Sequence, residues 1–458
     1  MANEVIVMNT KVIALVVVVI VVAAGAVGAA ALLNNKGSNE KYYAIDGALN
    51  VYGNADGDYK IDGNDLSVIQ DVIDGKKRFA HYPLADANLD GKVDSADKDL
   101  VNKIINKESC TINIINQKKT AGNYNSSVKW PVKSAIATGS SNNLLLFTFA
   151  GINEYVHGIC YSTTPDWVLF PYYKDVTKLA NSSTAISIDA ANDTIKEYNV
   201  TALISDYTDS TISNESEYNK NGIDVIRVSA AVTDPDKYAS QLLMLGFLFG
   251  TETKALEFAE WNTKVLKEIG DKVATIADAN KKTVVTSNSA ASTKGVWLSA
   301  GVSDYRAVME QAGGVYAIGD DYDIYAVSGY TSGAYFKKGD TWLYQPDVNP
   351  DYIISMRVST WYSGTVDVKD LWEKSVSAFD ESEAYTNKHV YVMTGDAPIT
   401  IRIAYAAAIL YPDVFTMDWA NDLNKEVFEK FYPADINPEG KSFVISYDDY
   451  TAAKAAAA

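Results

Sequence analysis

The chain is poor in the residues that most catalysis and cross-linking need. Of 458 residues only two are cysteine and three histidine. Cys110 and Cys160 sit in different segments, so a disulfide is open but not implied, and two buried thiols are the plainer expectation. His81, His157 and His389 are far apart, match no zinc spacing and read as structural. No Gly-x-Ser-x-Gly elbow, phosphate loop or nucleophile–base arrangement is present, so an enzyme is not expected. Positive charge is also short: 40 Lys and Arg stand against 58 Asp and Glu, a net charge of −18. Nucleic acid needs a basic footprint and is excluded as a partner on that ground.

What is present divides the chain. Its length suggests two or three domains, and its 47% apolar content can bury large cores. Residues 12–33 form an uncharged apolar run of 22 residues, long enough to cross a bilayer as a helix. Lys11 precedes the run and a polar stretch follows it from Asn34. An export signal also fits, with small residues at 27–31 for cleavage, but its apolar core is usually only ~7–15 residues. An uncleaved anchor over 1–41 is therefore favoured, and the remainder lies outside the cytoplasm, at the cell surface. The run has no cysteine near its end for a lipid attachment. Five Asn-x-Ser/Thr sequons, at Asn125, Asn181, Asn192, Asn199 and Asn214, cluster within 90 residues and suggest a glycosylated surface.

Two twelve-residue stretches carry the sharpest pattern. The first places Asn54, Asp56, Asp58, Asp62 and Asp65 at loop positions 1, 3, 5, 9 and 12. The second places Asp86, Asn88, Asp90, Asp94 and Asp97 at the same positions. This spacing wraps oxygens round one point, with the backbone carbonyls of Lys60 and Lys92 added at position 7, as a hard cation such as calcium requires. An amphipathic helix follows each loop, through Leu66, Ile69, Val72 and Ile73 and through Leu100, Val101, Ile104 and Ile105. The loops start 32 residues apart and form a tandem repeat whose halves can pack face to face. Over 48–108 the chain resembles a type I dockerin-like domain, whose loops end in Asp, as Asp65 and Asp97 do here. The resemblance implies a small all-α domain, folding on two structural calcium ions and docking to a cohesin-type partner. Asn54 departs from the usual Asp and removes one charge from the first site. Gly63-Asn64 and Ser95-Ala96, at the positions that read the partner, do not match each other, which argues against symmetric docking. A calcium-stapled spacer is the alternative.

Residues 109–132 are rich in Asn, Ser, Lys and Gly and are expected as a linker. Beyond them strands are expected at 134–138, 155–160, 185–188, 201–204, 225–228, 283–287, 295–298, 353–356 and 389–393, with helices between. Several are near-continuous apolar runs, as in parallel sheets covered on both faces, so the class is α/β. Asp234-Pro-Asp opens a helix through Tyr238, Leu242, Leu245 and Phe249. After Gly250-Thr251 a second, long helix runs to about Ala277, with Phe258, Trp261, Val265 and Ile269 on one side.

Over 133–433 these pieces resemble, in order, the substrate-binding proteins of ABC importers for iron-siderophores, haem and cobalamin. The carriers are Ile188 to Ile204, similar to the family's helix leading into a strand, Asn221-Gly-Ile-Asp-Val-Ile226, the turn Leu245-Gly-Phe-Leu-Phe-Gly250-Thr-Glu-Thr-Lys-Ala255, Tyr305 to Gly314 with its closing Ala-Gly-Gly, and Ile409-Leu-Tyr-Pro-Asp-Val-Phe415. The resemblance implies two Rossmann-like lobes (133–250 and 280–450) joined by a long rigid helix (251–279), a ligand in the cleft and an ABC permease as partner; the Ala-rich end at 451–458 reads as a disordered or helical tail. Strand-end loops then supply the candidate ligand residues: Ser140, Asn142, Trp167, Tyr172 and Tyr173 in the first lobe; Trp297, Arg357, Trp361, Tyr362 and Arg402 in the second. Aromatic faces suit an iron chelate or tetrapyrrole, and an arginine suits an anionic group on it. Family members usually carry a glutamate on each lobe for the permease. This chain has Ser140-Ser-Asn-Asn before the first helix, and Asp320-Asp321-Tyr-Asp323 in the second lobe. Capture or scaffolding without transport stays open.

Overall fold

The computed structural model of the chain describes residues 46–118, 122–161, 164–181, 186–206, 212, 215–230, 233–287, 295–299, 303–319, 334–432 and 436–457. The apolar run at 12–33, Asn214 and the acidic stretch at 320–323 lie outside them. Among the described residues no helix is long and apolar enough to cross a membrane.

The two acidic loops each lead into a helix, α1 (Gly63–Ile73) and α2 (Ser95–Ile105). Asp62 and Asp94 cap these helices, and Asp65 and Asp97 return a bond to the cap backbone at 2.7 and 2.8 Å. Such reciprocal caps satisfy N–H groups that a helix start leaves open. Val68, Ile69 and Val101 meet Ala55, Ala85 and Ala87 in a small core of their own.

The stretch expected as a linker is instead a β-hairpin, β1 (Cys110–Lys118) and β2 (Gly122–Trp130), paired from Cys110↔Trp130 to Lys118↔Gly122. Its two faces are both covered. Ile112, Ile114 and Asn116 face the large domain, while Asn113 and Ile115 face the loop module. On the module side the Tyr52 N–H donates to the Asn113 carbonyl at 2.9 Å, the Ile115 N–H to the Asn50 carbonyl at 3.1 Å, and the Asn113 side chain to the Ala87 carbonyl at 2.9 Å. Buried asparagines hide the alternation, because a period-two reading counts apolar residues only.

The first lobe is a five-stranded parallel sheet in the order β5-β4-β3-β6-β7: β3 (Ala135–Thr138), β4 (Val156–Cys160), β5 (Thr177–Ala180), β6 (Ala202–Asp206) and β7 (Asp224–Val228). Helices α3 (Ser141–Ala150), α4 (Ile188–Tyr198) and α5 (Glu215–Lys220) connect it. The strand expected at 185–188 is not there: Ser187 caps α4, Ile188 begins it, and Ala185 lies outside the described residues. The edge strand is β5, in which only Leu179 is fully buried, too little for an apolar signal.

The hairpin closes the far edge of this sheet. Asn116, fully buried, donates from Nδ2 to the Val225 carbonyl and accepts at Oδ1 from the Arg227 N–H, both at 2.8 Å. Its amide thus stands in for a neighbouring strand on β7, whose backbone would otherwise be an open template for pairing. Trp130 stacks on Phe247 at 5.3 Å and donates to its carbonyl at 2.9 Å.

Helices α6 (Pro235–Phe249) and α7 (Glu252–Val273) then carry the chain across to the second lobe. Gly250 ends α6 at φ 77, where a side chain would be strained, and a Cβ on Gly246 would lie 2.5 Å from that of Ala255. On α7 the expected face is buried: Phe258, Trp261, Val265 and Ile269. Phe258 stacks on Phe149 of the first lobe and meets Phe431 of the second edge-on at 5.1 Å.

The second lobe has the path β11-β9-β8-β12-β13-β14, with β10 also on β8: β8 (Thr283–Ser287), β9 (Gly295–Leu298), β10 (Val315–Tyr316), β11 (Ala334–Lys337), β12 (Tyr352–Arg357), β13 (Val390–Thr394) and β14 (Val444–Ser446). Its β8, β10, β12 and β13 are parallel, while β9, β11 and β14 join antiparallel. Helices α8 (Asp304–Gln311), α9 (Val368–Val376), α10 (Glu383–Thr386), α11 (Ile399–Leu410), α12 (Met417–Phe431) and α13 (Tyr447–Ala456) accompany it. The tail expected from 451 is the end of α13, whose Tyr450 stacks on Trp372 at 5.2 Å.

Replacing Asn116 by alanine leaves two buried backbone groups of β7 without partners. The expected loss is about 2–4 kcal/mol, since each such group costs about 1–3 kcal/mol. Urea unfolding at neutral pH measures it, and a loss below ~0.5 kcal/mol would contradict the role given to the amide.

Candidate functional site

The C-terminal ends of β3, β12 and β13 meet between the lobes, where open α/β sheets present their binding loops. Ser140 caps α3, accepting from the Asn143 N–H at 3.2 Å, and the buried Asn143 side chain donates to Thr138 at 3.0 Å. This turn holds Asn142 across from α11. Arg402, 1% exposed, donates from Nη2 to Asn142 Oδ1 at 2.8 Å and lies 3.9 Å from Asp304. Its Nε is buried without a partner.

Arg357 ends β12 and is only 8% exposed, yet its Nε and Nη1 have no hydrogen-bond partner. Its backbone carbonyl is held from two sides, by the Gly395 N–H and the Trp361 indole N–H, each at 2.7 Å. A Cβ on Gly395 would sit 3.1 Å from the Arg357 carbonyl carbon, so the two strand ends are in close approach. Burial lowers the Arg357 pKa, and Tyr305 opposes the shift. Asp396 follows, buried, and accepts from the Ser359 N–H at 2.9 Å. Burial pushes its carboxyl up to about 7; the Ser359 bond and Arg402 oppose this, and Asp166 of the first lobe adds to it. Asp166 itself accepts from the Val168 N–H at 3.1 Å, while its Oδ2 is buried and unpaired. The seam thus holds two buried guanidinium groups with free N–H donors, a geometry suited to a planar anionic group.

Of the residues expected to hold ligand, the fold brings Asn142, Arg357 and Arg402 to this seam. Trp361 supports Arg357 from within the core. Two aromatic walls are corrected. Tyr173 bonds Asn153 at 2.7 Å inside the first lobe, and Tyr362 bonds Asn424 at 3.1 Å between Phe428 and Phe443. Both are buried supports, because tyrosines whose hydroxyls find an internal partner pack as core. Tyr172 is 49% exposed; Trp167 is half-buried against Tyr161; Trp297 packs on Tyr335 at the β9–β11 edge. Asp396, Asp166 and Tyr305 were not expected. The turn Thr394-Gly-Asp-Ala-Pro398, directly after a strand, was the available signal. Beside the seam a cavity of about 10 Å³, lined by Tyr238, Phe258, Asn262, Leu266 and 398–400, has room for one water.

The acidic loops share one internal ladder. In the first, Asp56, Asp58 and Asp62 accept from N–H groups two residues on, at 3.2, 2.8 and 2.7 Å. In the second, Asn88, Asp90 and Asp94 do the same at 2.9, 2.9 and 2.8 Å. Asp65 and Asp97 close the loops onto Asp56 and Asn88, and Asp86 accepts from Asp90 and Gly91. With oxygens turned to backbone, no group of three or more His, Cys, Asp or Glu is drawn together as a metal centre among the described residues. The donor set nonetheless fits a hard cation. Burial raises Asp58 to about 6, and burial with the charge of Asp56 raises Asp65 to about 8. Asn54, fully buried, donates to the Leu49 and Asp58 carbonyls at 2.8 Å, while its Oδ1 has no partner. A bound cation reverses the charge repulsion and uses such an oxygen.

Of the histidines, His157 stacks on Tyr198 at 4.3 Å, His389 stacks on Tyr352 at 4.4 Å, and His81 is exposed.

Neither a family model nor a curated protein sequence matches the chain. Solved structures do. The TroA-like periplasmic binding protein FepB of Veillonella parvula is 16% identical at a TM-score of 0.54, covering 72% of this chain and 99% of its own. A periplasmic solute-binding protein of Veillonella parvula (14%, TM-score 0.49) covers 70% of this chain and 93% of its own. An ABC transporter solute-binding protein of Sulfurospirillum deleyianum (14%, TM-score 0.49) covers 72% and 96%. These neighbours are substrate-binding proteins and not enzymes. What this chain shares with the first of them is the two-lobe solute-binding fold.

The raised Asp396 has a pH consequence of definite sign. Its folded pKa, about 7, exceeds the ordinary 3.8, so the folded state binds the extra proton between those values. Stability should therefore fall as pH rises from about 4 to about 7, by up to ~4 kcal/mol over three pH units. Asp396→Asn should flatten this slope. Urea unfolding at several pH values measures it, and an unchanged slope in the variant would remove Asp396 as its source.

Proposed function

We propose that the chain is an extracytoplasmic solute-binding protein of an ABC importer. It captures an anionic iron chelate, haem or cobalamin-like ligand between its lobes. Residues 12–33 anchor it at the outer face of the membrane, and the loop pair carries two structural calcium ions in a dockerin-like module. One observation supports this above the rest: Arg357 is 8% exposed with Nε and Nη1 unpaired at the seam. Removing one partner from a buried ion pair is costly, so an unpaired buried guanidinium is a group waiting for an anion. The two-lobe fold supplies the context.

A second reading has its own support. The lobes are bridged by the Asn142–Arg402 bond, and the cavity beside the seam admits about one water. A cell-surface structural or interaction protein, with the dockerin-like module docking a cohesin-type partner, would keep its lobes joined by such a bond.

A thermal-shift screen of the full chain against ferric siderophores, haem, cobalamins and simple oxyanions separates the two. A ligand at 100 times its Kd should add ~2.7 kcal/mol. Arg357→Met should abolish that shift while leaving the free protein as stable or more so, since the unpaired charge is gone. No shift with any ligand, together with a destabilised variant, would leave the structural reading.

A further inference from the structure

The hairpin touches three things at once, and the contacts are polar as well as apolar. Toward the loops, β1 is pinned at both loop entrances. Residues Asn50–Tyr52 lead into the first loop at Asn54, and they pair with β1 through the Tyr52, Ile115 and Val51↔Ile114 contacts. Ala87, the second residue of the other loop, is held by the Asn113 side chain, whose Oδ1 in turn accepts from Ser127 at 2.8 Å. Toward the first lobe, Asn116 pairs with the β7 backbone, and the Lys129 N–H donates to Asp224 at 2.8 Å. Adjacent residues of one strand therefore serve opposite sides: Asn113 and Ile115 grip the loops, Ile112, Ile114 and Asn116 grip the lobe.

A strand cannot shift one face without shifting the other, because its side chains alternate on one backbone. The loop module's own core is six buried residues, too small to hold firm without a staple. We propose that cation binding at the two loops sets the seat of this hairpin, and so governs how well the open edge of the first lobe at β7 is protected. The module is a fixed third body of the binding protein, with the hairpin as a coupling strut. This rests on the calcium reading given above and adds to it a consequence for a different part of the chain. The cation supplies the binding free energy, and Asn113 and Asn116 carry the constraint across.

Hydrogen exchange read by mass spectrometry on the full chain, in calcium and in a chelator, tests it, with cation stoichiometry measured on the same sample. Calcium should slow exchange in the loops at 54–65 and 86–97. It should also slow residues 224–228 of β7 by about tenfold. Asn113→Ala should keep the calcium protection of the loops and lose most of that at 224–228. Its far-ultraviolet circular dichroism should match the parent, and Ser127→Ala, a milder cut of the same link, should fall between. Calcium binding with protected loops but unchanged β7 would overturn the coupling while leaving the calcium sites standing. No calcium binding at all would remove the calcium reading and the coupling with it.

Discussion

The lobes keep their relation because Phe258 sits between them. It stacks on Phe149 of the first lobe and meets Phe431 of the second edge-on, on a helix whose same face also buries Trp261, Val265 and Ile269. Aromatic contacts of this kind add about 0.5–1.5 kcal/mol beyond their burial. They hold α7 as a stiff member rather than a hinge. Across it the strand ends of the two sheets come to one seam, where Asn142 meets Arg402.

That constraint explains why the seam can hold charges that would be unfavourable elsewhere. Arg357 and Arg402 are buried, Asp396 is raised to about 7, and Asp166 keeps an unpaired oxygen. Desolvation of these groups opposes folding, and only a rigid frame retains them. Such stored imbalance makes the seam the candidate site of the molecule. The tyrosines around it behave differently. Tyr173 and Tyr362 satisfy their hydroxyls internally and serve as walls behind the site.

At the other end of the first lobe the same logic runs through hydrogen bonds. The sheet edge at β7 is covered by a side-chain amide instead of a strand, and the hairpin that provides it is shared with the acidic loops. Two asparagines, Asn113 and Asn116, do what a longer apolar strand would do in a larger interface, with directional bonds replacing area.

Much of this was legible in the residues. Loop spacing, the helix caps at Asp62 and Asp94, most strands of both sheets, and the buried face of α7 all follow from short-range rules: period, capping and turn chemistry act within a few residues. The hairpin, the edge strand β5 and the corrected tyrosines did not follow. Their fate depends on partners far along the chain: Val225 for Asn116, Asn424 for Tyr362, Asn153 for Tyr173. The sequence by itself determined the capped loop helices, most of the buried strands and where oxygens gather. Only the tertiary structure decided which polar side chains lose water, because burial is a property of what packs on a residue, and it left Arg357 unpaired where Trp361 was bonded.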